Sequence, residues 1–476
     1  MNGTIIQERI PVVPRSVKGR FRTIKTAILL FAYSVYFFLP WLPWQRNVGP
    51  DQAILFNIVD RHFYIFNLVV YAQDIFWLAG LLLIAALLLF LITAILGRVF
   101  CGYFCFQTLW TDVFIFIERL VQGERNARIK LLNSNWNSHK ISKTLLTHLL
   151  WILMSLVTGL TFTLYWGYAP ELIVQLFTGN APFAAYATTL FLATTTYFMA
   201  GLAREQTCTY MCPYARFQSA MFDKNTLTVT YDQSRGERAK GRQKPRAGMT
   251  DHDVRIEHKV GDCIDCGYCV QVCPTGIDIR DGMQYECITC ALCIDACDTI
   301  MQKIDYPTGL IRYSSEVIDE GKPTSWLRLN VIGYALITLL TIVLLSWSII
   351  TRDQLELIVL KVRQPLSVTL SDGREQNRYE IKINNKTSTA LEFNIKIEGL
   401  EESELTIGDF DRYVVNAQSS VRIQAKVRQH PQFAKAARQS FRFVVEPEQR
   451  PDLKDLIWTS VFSIPESRMK NKEAGR

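Results

Sequence analysis

Two runs of thiols carry the most specific chemistry in the chain: Cys263-x2-Cys266-x2-Cys269-x3-Cys273-Pro274, repeated as Cys287-x2-Cys290-x2-Cys293-x3-Cys297. Three thiolates at this spacing can wrap three irons of one cubane, and the fourth thiolate of each run ligates the other cluster. The pair therefore predicts two 4Fe-4S clusters. Cys263, Cys266, Cys269 and Cys297 would hold the first, and Cys273, Cys287, Cys290 and Cys293 the second. Structural zinc prefers four ligands in two separated pairs, which these runs do not offer. The second run ends in Cys297-Asp298, where a regular repeat would have proline. That proline supplies no ligand, and the carboxylate is placed to lower the potential of the first cluster. One-electron relay is the natural use of two bridged clusters.

The other four cysteines form two shorter pairs, Cys101-Gly-Tyr-Phe-Cys105 and Cys208-Thr-Tyr-Met-Cys212-Pro213. Spacing of i, i+4 would put both sulfurs of a pair on one helix face. Two such pairs at one depth could converge into a four-thiolate redox site, and soft thiolates favour Cu(I) or iron–sulfur centres over hard cations. Copper, another cluster and a thiol–disulfide couple all stay open for this set. The histidines are scattered, and only His148, near the start of an apolar window, is worth following. No G-x-G-x-x-G or G-x4-G-K-[ST] fingerprint occurs, so electrons are expected from a partner.

The elements that position these thiols are of two kinds. The chain has 476 residues and a formal net charge of +8, with 49% hydrophobic and 20% charged residues, an average that suits neither a soluble chain nor an entirely membrane-embedded one. Uncharged windows of about 20 residues mark membrane spans. Five occur, at about 26–45, 75–97, 144–166, 183–203 and 329–351. Val99 to Ile117, which carries Asp112, and the short Phe63 to Ala72 are expected to be surface-lying or re-entrant. Residues 1–25 are basic, with Arg9, Arg15, Lys18, Arg20, Arg22 and Lys25, whereas the next loop has only Arg46 and Arg61. The excess of Lys and Arg places the tail in the cytoplasm. Alternation puts residues 204–328 inside and everything after Thr351 outside.

The domain organisation follows: a tail (1–25), a membrane domain (26–203), a basic cytoplasmic linker (204–258), a ferredoxin-like α+β insert (259–305), a connector (306–328), a fifth span (329–351) and a periplasmic domain (352–476). The linker's basic run reads as a solvated loop near anionic lipid. Without aromatic interleaving, it does not suggest nucleic-acid binding. In the last domain the hydropathy period changes to two. Strands are expected at 355–362, 366–370, 379–383, 391–397, 404–407, 421–427, 440–445 and 458–464, with turns at Ser371-Asp372-Gly373, Asn384-Asn385 and Glu446-Pro447. This pattern suggests an immunoglobulin-like β-sandwich without the inter-sheet disulfide.

In its full layout the chain resembles the cytochrome c oxidase accessory proteins of the CcoG (FixG/RdxA) family. The resemblance rests on the five spans, on Cys101-Gly-Tyr-Phe-Cys105 with Gln107-Thr108-Leu109-Trp110-Thr111-Asp112, on Arg204-Glu205-Gln206 before Cys208-Thr-Tyr-Met-Cys212-Pro213, on the double ferredoxin run and on the cysteine-free sandwich. The family's surface pairs usually read C-x3-C-P, whereas Phe106 follows Cys105 here. The resemblance implies a multi-pass protein of the bacterial cytoplasmic membrane that reduces Cu(II) to Cu(I) for assembly of cbb3-type oxidase. Cys101, Cys105, Cys208 and Cys212 would be its copper or redox thiols, and copper would be substrate or transient ligand. It also implies a cytoplasmic electron donor, a copper chaperone, transporter or oxidase assembly partner, and the option of a homodimer. Two alternatives are a quinol-oxidising electron-transfer subunit and a non-enzymatic assembly factor with structural clusters.

Overall fold

The computed structural model describes residues 12–46, 49–59, 61–71, 74–219, 221–246, 248, 250–387, 389–408, 413–448, 450 and 453–465. It falls into two compact units, residues 1–44 with 52–346 and residues 45–51 with 347–476.

The first unit contains α1 (Arg20–Phe38), α2 (Ile75–Leu96), α3 (Val99–Tyr103), α4 (Phe106–Gln122), α5 (Arg125–Asn133), α6 (Ser138–Leu164), α7 (Ala169–Thr178) and α8 (Phe183–Thr196). Helix α8 runs on as a π-helical turn over Tyr197–Leu202. A last long helix covers Leu329–Ile350. Among the described residues, five helical stretches are long and apolar enough to cross a membrane: Arg20–Trp41, Ile75–Leu96, Val99–Gln122, Ser138–Leu164 and Leu329–Ile350. Val99–Gln122 was not among the expected spans. It differs from the others in being two helices interrupted at Phe104 and Cys105, with Gln107 to Asp112 buried in protein. The expected span at 183–203 is helical, divided by the π turn. Small residues let α8 approach α6: a β-carbon at Gly159 would meet the Ala193 nitrogen at 3.1 Å, and Thr163 and Thr189 share a 2.8 Å hydrogen bond.

Phe63 to Tyr71 is not among the helices that could cross a membrane and is built of strands. Strands β1 (Ile54–Asn57), β2 (His62–Ile65) and β3 (Leu68–Tyr71) form an antiparallel sheet in that order, and Ala72 lies outside the described residues. Leu55, Tyr64, Val69 and Tyr71 bury one another, so this stretch satisfies a period of two on its own sheet.

The basic linker is also corrected. Strand β4 (Thr228–Tyr231) pairs antiparallel with β5 (Ile311–Ser314), so the ferredoxin-like region closes through chain on both sides of residues 259–305. Arg235 and Arg238 hold the buried Asp262 at 2.7 and 3.1 Å, and the Lys240 N–H donates to the Lys259 carbonyl. The run is folded against the first cysteine run because its arginines neutralise that carboxylate.

Asp295, in the helix Leu292–Lys303, ties the ferredoxin-like region to the first membrane helix. Its carboxylate accepts the N–H groups of Phe21 (3.2 Å) and Arg22 (2.7 Å), two orphan donors of the first turn of α1. Any side chain at Gly19 would collide with that carboxyl group. The helix therefore starts at Arg20, ahead of the apolar window. Asp295→Ala is expected to lower stability by about 1 kcal/mol, the usual worth of a helix cap, read as a drop in melting temperature of the detergent-solubilised protein.

The second unit is a β-sandwich. Its strands are β6 (Leu355–Lys361), β7 (Val368–Thr369), β8 (Glu375–Asn385), β9 (Leu391–Glu398), β10 (Ser403–Ile407), β11 (Tyr413–Val415), β12 (Ser419–Gln429), β13 (Arg438–Pro447) and β14 (Leu456–Ser463). One sheet has the order β10-β12-β8-β6, with β7 also on β8; the other has β11-β9-β13-β14. Alternate residues Tyr379, Ile381 and Ile383 of β8 meet Phe393, Phe441, Phe443 and Phe462 in one core. The Ser371-Asp372-Gly373 turn is present, with Gly373 at φ 84°. The other two expected turns are strand. Asn384 and Asn385 end β8, where Asn385 is buried and its amide donates to the carbonyls of Thr389 and Val415. Glu446 and Pro447 end β13, paired with Asn394 and Phe393.

Candidate redox centre

The two cysteine runs build the same local structure twice. In the first, Asp265 and Gly267 have positive φ (50° and 66°) before the helix Tyr268–Val272. In the second, Thr289 and Ala291 have positive φ (53° and 60°) before Leu292–Lys303. Left-handed backbone at non-glycine residues is unfavourable by roughly 1–2 kcal/mol each. Its recurrence at matching positions bends each run around a cavity. One cavity is lined by Cys263, Cys266, Cys269 and Cys297; the other by Cys273, Cys287, Cys290 and Cys293 together with Cys269. The thiols thus gather in the two groups expected from their spacing, each group taking one cysteine from the opposite run.

The donor chemistry fits clusters better than single ions. Among the described residues, no three His, Cys, Asp or Glu side chains stand close enough to hold one metal ion. Four thiols around a larger void suit a cubane. Burial pushes the Cys269 and Cys287 thiols up to about 12. Free thiolates are therefore costly there, and iron must displace the protons. The Asp298 carboxylate interacts electrostatically with Cys297 and accepts the Gly309 N–H at 2.9 Å, so the residue in the proline position is fixed beside the first group.

The surface pairs are built differently from expectation. Cys101 lies in α3, whereas Cys105 has extended backbone (φ −63°, ψ 129°) as N-cap of α4. Cys208 lies in a π-helical turn over Thr207–Met211, and Cys212 is extended at its end. The chain thus breaks between the sulfurs in the first pair and at the second sulfur in the other, so neither pair shares one α-helical face. The four thiols lie near enough to influence one another electrostatically, though not close enough to ligate one ion as they stand. Burial pushes Cys208 up to about 12, reinforced by Cys105, Cys101 and Cys212 and opposed by Arg98. Arg98 also organises the site: its Nε donates to Gln218 Oε1 at 3.0 Å, the same oxygen that accepts from Cys101 Sγ at 3.2 Å. His148 stands apart from this group, with Nδ1 2.9 Å from the Tyr197 hydroxyl and its ring edge-on to Trp151.

Sequence reasoning missed how closely the two thiol sets approach. A β-carbon at Gly102 would sit 2.6 Å from the Ile288 carbonyl oxygen and 2.9 Å from the Cys290 α-carbon. Tyr103 Oη donates to the Cys290 carbonyl at 3.1 Å, and Cys101, Ile288 and Cys290 share one apolar core. The only signal was the glycine after Cys101, which permits a close backbone approach. Gly102→Ala must push the two loops apart and is expected to cost about 1–3 kcal/mol, as overpacking does. An altered EPR line shape of the second cluster would accompany that loss, and an unchanged spectrum and melting point would refute it.

Comparison with known proteins agrees with this division. Residues 203–316 match the 4Fe-4S dicluster domain, residues 78–122 a 4Fe-4S binding domain, and residues 345–465 the immunoglobulin-like fold at the C-terminus of FixG. The chain is 40% identical to protein RdxB of Cereibacter sphaeroides over 434 residues, covering 89% of each chain. It is 41% identical to protein RdxA of the same organism over 409 residues, 84% of each chain. To the nitrogen fixation protein FixG of Rhizobium meliloti it is 38% identical over 440 residues, covering 86% of this chain and 83% of that one. With relatives this similar over nearly their whole length and both cysteine groups gathered in the fold, the chain belongs to the FixG/RdxA family of membrane iron–sulfur electron-transfer proteins.

Proposed function

We infer that the chain reduces Cu(II) to Cu(I) at the thiols of Cys101, Cys105, Cys208 and Cys212, and that the Cu(I) serves assembly of a cbb3-type cytochrome oxidase. The observation that carries this reading is the contact of Gly102 with the Ile288–Cys290 backbone, which sets the surface thiols against the ligand loop of the second cluster. The iron–sulfur clusters, when bound, supply one-electron reducing equivalents. The protein's own groups do the rest. Cys290 and Cys293 pack in the same apolar core as Cys101, whereas Cys266, the exposed thiol of the first group, offers an entry point for a donor. Soft thiolates favour Cu(I) over Cu(II), which draws the reduction forward. Arg98 offsets the negative charge that accumulates when several thiols lose protons to a metal. The basic N-terminal tail supports a cytoplasmic position for these thiols in the bacterial inner membrane, with the sandwich on the periplasmic side as a docking module for assembly partners.

The test is anaerobic mixing of the dithionite-reduced, desalted protein with Cu(II). The expected result is loss of the reduced-cluster EPR signal with one Cu(I) formed per electron; persistence of the signal in excess Cu(II) refutes the reading. A second reading is favoured by the 4Fe-4S binding-domain match over residues 78–122, which contains Cys101 and Cys105. In it the four thiols hold a further cluster. Iron analysis separates the two, because two clusters of four irons give eight per chain and three give twelve.

A further inference from the structure

Strand β4 ends in Tyr231, whose ring lines the cavity of the first cysteine group and packs with Cys263, Cys297, Met301 and Leu310. Its hydroxyl oxygen is buried and has no hydrogen-bond partner among the described residues. A buried polar atom without a partner costs free energy, and in a native fold it points to a redox role or a bound group. The neighbour it does have is a cluster ligand, because the phenol interacts electrostatically with Cys263. Glu237, a carboxylate within the same reach, is engaged by Arg242 at 3.3 Å. The hydroxyl is also hemmed in from behind. A β-carbon at Gly236 would sit 2.1 Å from it, and the Gly236 carbonyl accepts the Cys263 N–H at 3.2 Å, so one residue backs the phenol and ties down the ligand.

The same strand pair presents a second tyrosine to the other cysteine group. Tyr231 pairs with Ile311 and Val229 with Tyr313, and all four side chains join one apolar core. Tyr313 Oη donates to the Thr289 carbonyl at 2.9 Å, on the loop between Cys287 and Cys290. Its hydroxyl is therefore engaged by backbone, whereas that of Tyr231 is left for a sulfur. Hydrogen bonds to the sulfurs are among the factors that set a cluster's potential. The sign follows from charge. An added electron makes the ligand sulfurs more negative, so a hydrogen bond donated to one of them strengthens on reduction and raises the potential. Asp298, beside Cys297, acts in the opposite sense.

We propose that the Tyr231 hydroxyl donates a hydrogen bond to Cys263 Sγ when that sulfur ligates the first cluster, and that this bond raises the first cluster's potential against the influence of Asp298. Tyr231 transfers neither an electron nor a proton. The phenol stays protonated in both redox states and acts through Cys263, as a positioning residue. Its effect is to keep the first cluster, whose Cys266 is exposed, reducible despite the neighbouring carboxylate. The proposal rests on the two clusters alone and is independent of the copper reading.

The test is an anaerobic potentiometric titration of the full-length holoprotein in detergent, followed by EPR and run without copper. Tyr231→Phe keeps the ring and removes only the hydroxyl. It is expected to leave the iron content unchanged and to lower one cluster midpoint potential by at least threefold in the reduction equilibrium, about 28 mV at about 59 mV per decade for a one-electron couple. Asp298→Asn is expected to raise the same wave, which assigns it to the first cluster. Tyr313→Phe, which loses a hydroxyl bound to backbone, should leave that wave in place. Unmoved midpoint potentials in Tyr231→Phe overturn the proposal, and a raised melting temperature beside them would identify the hydroxyl as an idle buried group. An equal shift of the same wave in Tyr313→Phe also overturns it, because altered packing would then be the cause. With no copper in the titration, failure here leaves the copper reading untouched, and failure of that reading leaves this result untouched.

Discussion

Replacing Cys208 and Cys212 together by serine is expected to reduce Cu(II) turnover by more than the roughly 10–100-fold that outer-shell changes cost at metal sites, since first-shell donors are being removed. Both ferredoxin-type EPR signals should remain. The two effects separate because Cys208 and Cys212 lie in and after a π-helical turn, outside both cluster cavities. Serine hydroxyls keep the size of the thiols but are harder and far less acidic, so they cannot stabilise Cu(I). The Cys208 thiol also sits where burial and its thiol neighbours disfavour an isolated anion, so the native site gains its charge only when a metal replaces the protons. Stopped-flow mixing of the reduced variant with Cu(II) gives the readout. Wild-type rates in the double variant would remove all four surface thiols from the reaction, because Cys101 and Cys105 alone would leave a half-site.

The cluster ligands were legible because their chemistry is local. Three-residue spacing, as in Cys263, Cys266 and Cys269, fixes which sulfurs can surround one cavity, and the fold merely supplies the crossed fourth ligand. The surface pairs were legible as residues but not as geometry. A helical rule was applied to Cys101 and Cys105, although the chain must break at Phe104 to let Gly102 reach the Cys290 loop, which is distant in sequence. The same limit explains the linker. Nothing near Thr228–Tyr231 announces that its partner is Ile311–Ser314, and nothing near Arg235 announces Asp262. In the sandwich, alternation located eight strands, but β11 is too short to show a period and Asn385 was read as a turn residue. Its buried amide works instead as a link between the β8 end and the chain near Val415. The Gln107-to-Asp112 stretch was visible as a motif, while its burial depends on α1 and the second cysteine run arriving from elsewhere.

Anaerobic removal of iron is expected to unfold the ferredoxin-like region while leaving the sandwich folded. Three of the apolar clusters in the first unit contain cluster cysteines: Cys290 and Cys293 pack with Val272 and Leu292, Cys269 with Val229 and Ile311, and Cys263 with Met301 and Leu310. Emptying the two cysteine-lined cavities removes the contents around which those side chains are arranged. Side chains that lined a cluster lose their contacts when it leaves, which destabilises whatever part of the void does not collapse. Metal binding energy is lost in addition, since thiols whose burial favours the protonated form release iron into an already unstable site. The Asp295 cap on α1 sits between Cys293 and Cys297, so loosening that helix also frees the start of the first membrane helix. The second unit has no cysteine, and its core of Tyr379, Phe393, Phe441, Phe443 and Phe462 contains nothing that iron holds. Calorimetry of the full-length protein should therefore show two transitions. The cluster-dependent one falls by roughly 10 °C or more, at about 2–4 °C per kcal/mol for a domain of this size, and the other stays in place. A sandwich transition that moves together with the first would mean that the units unfold as one, and that the sandwich depends on iron bound in the other unit.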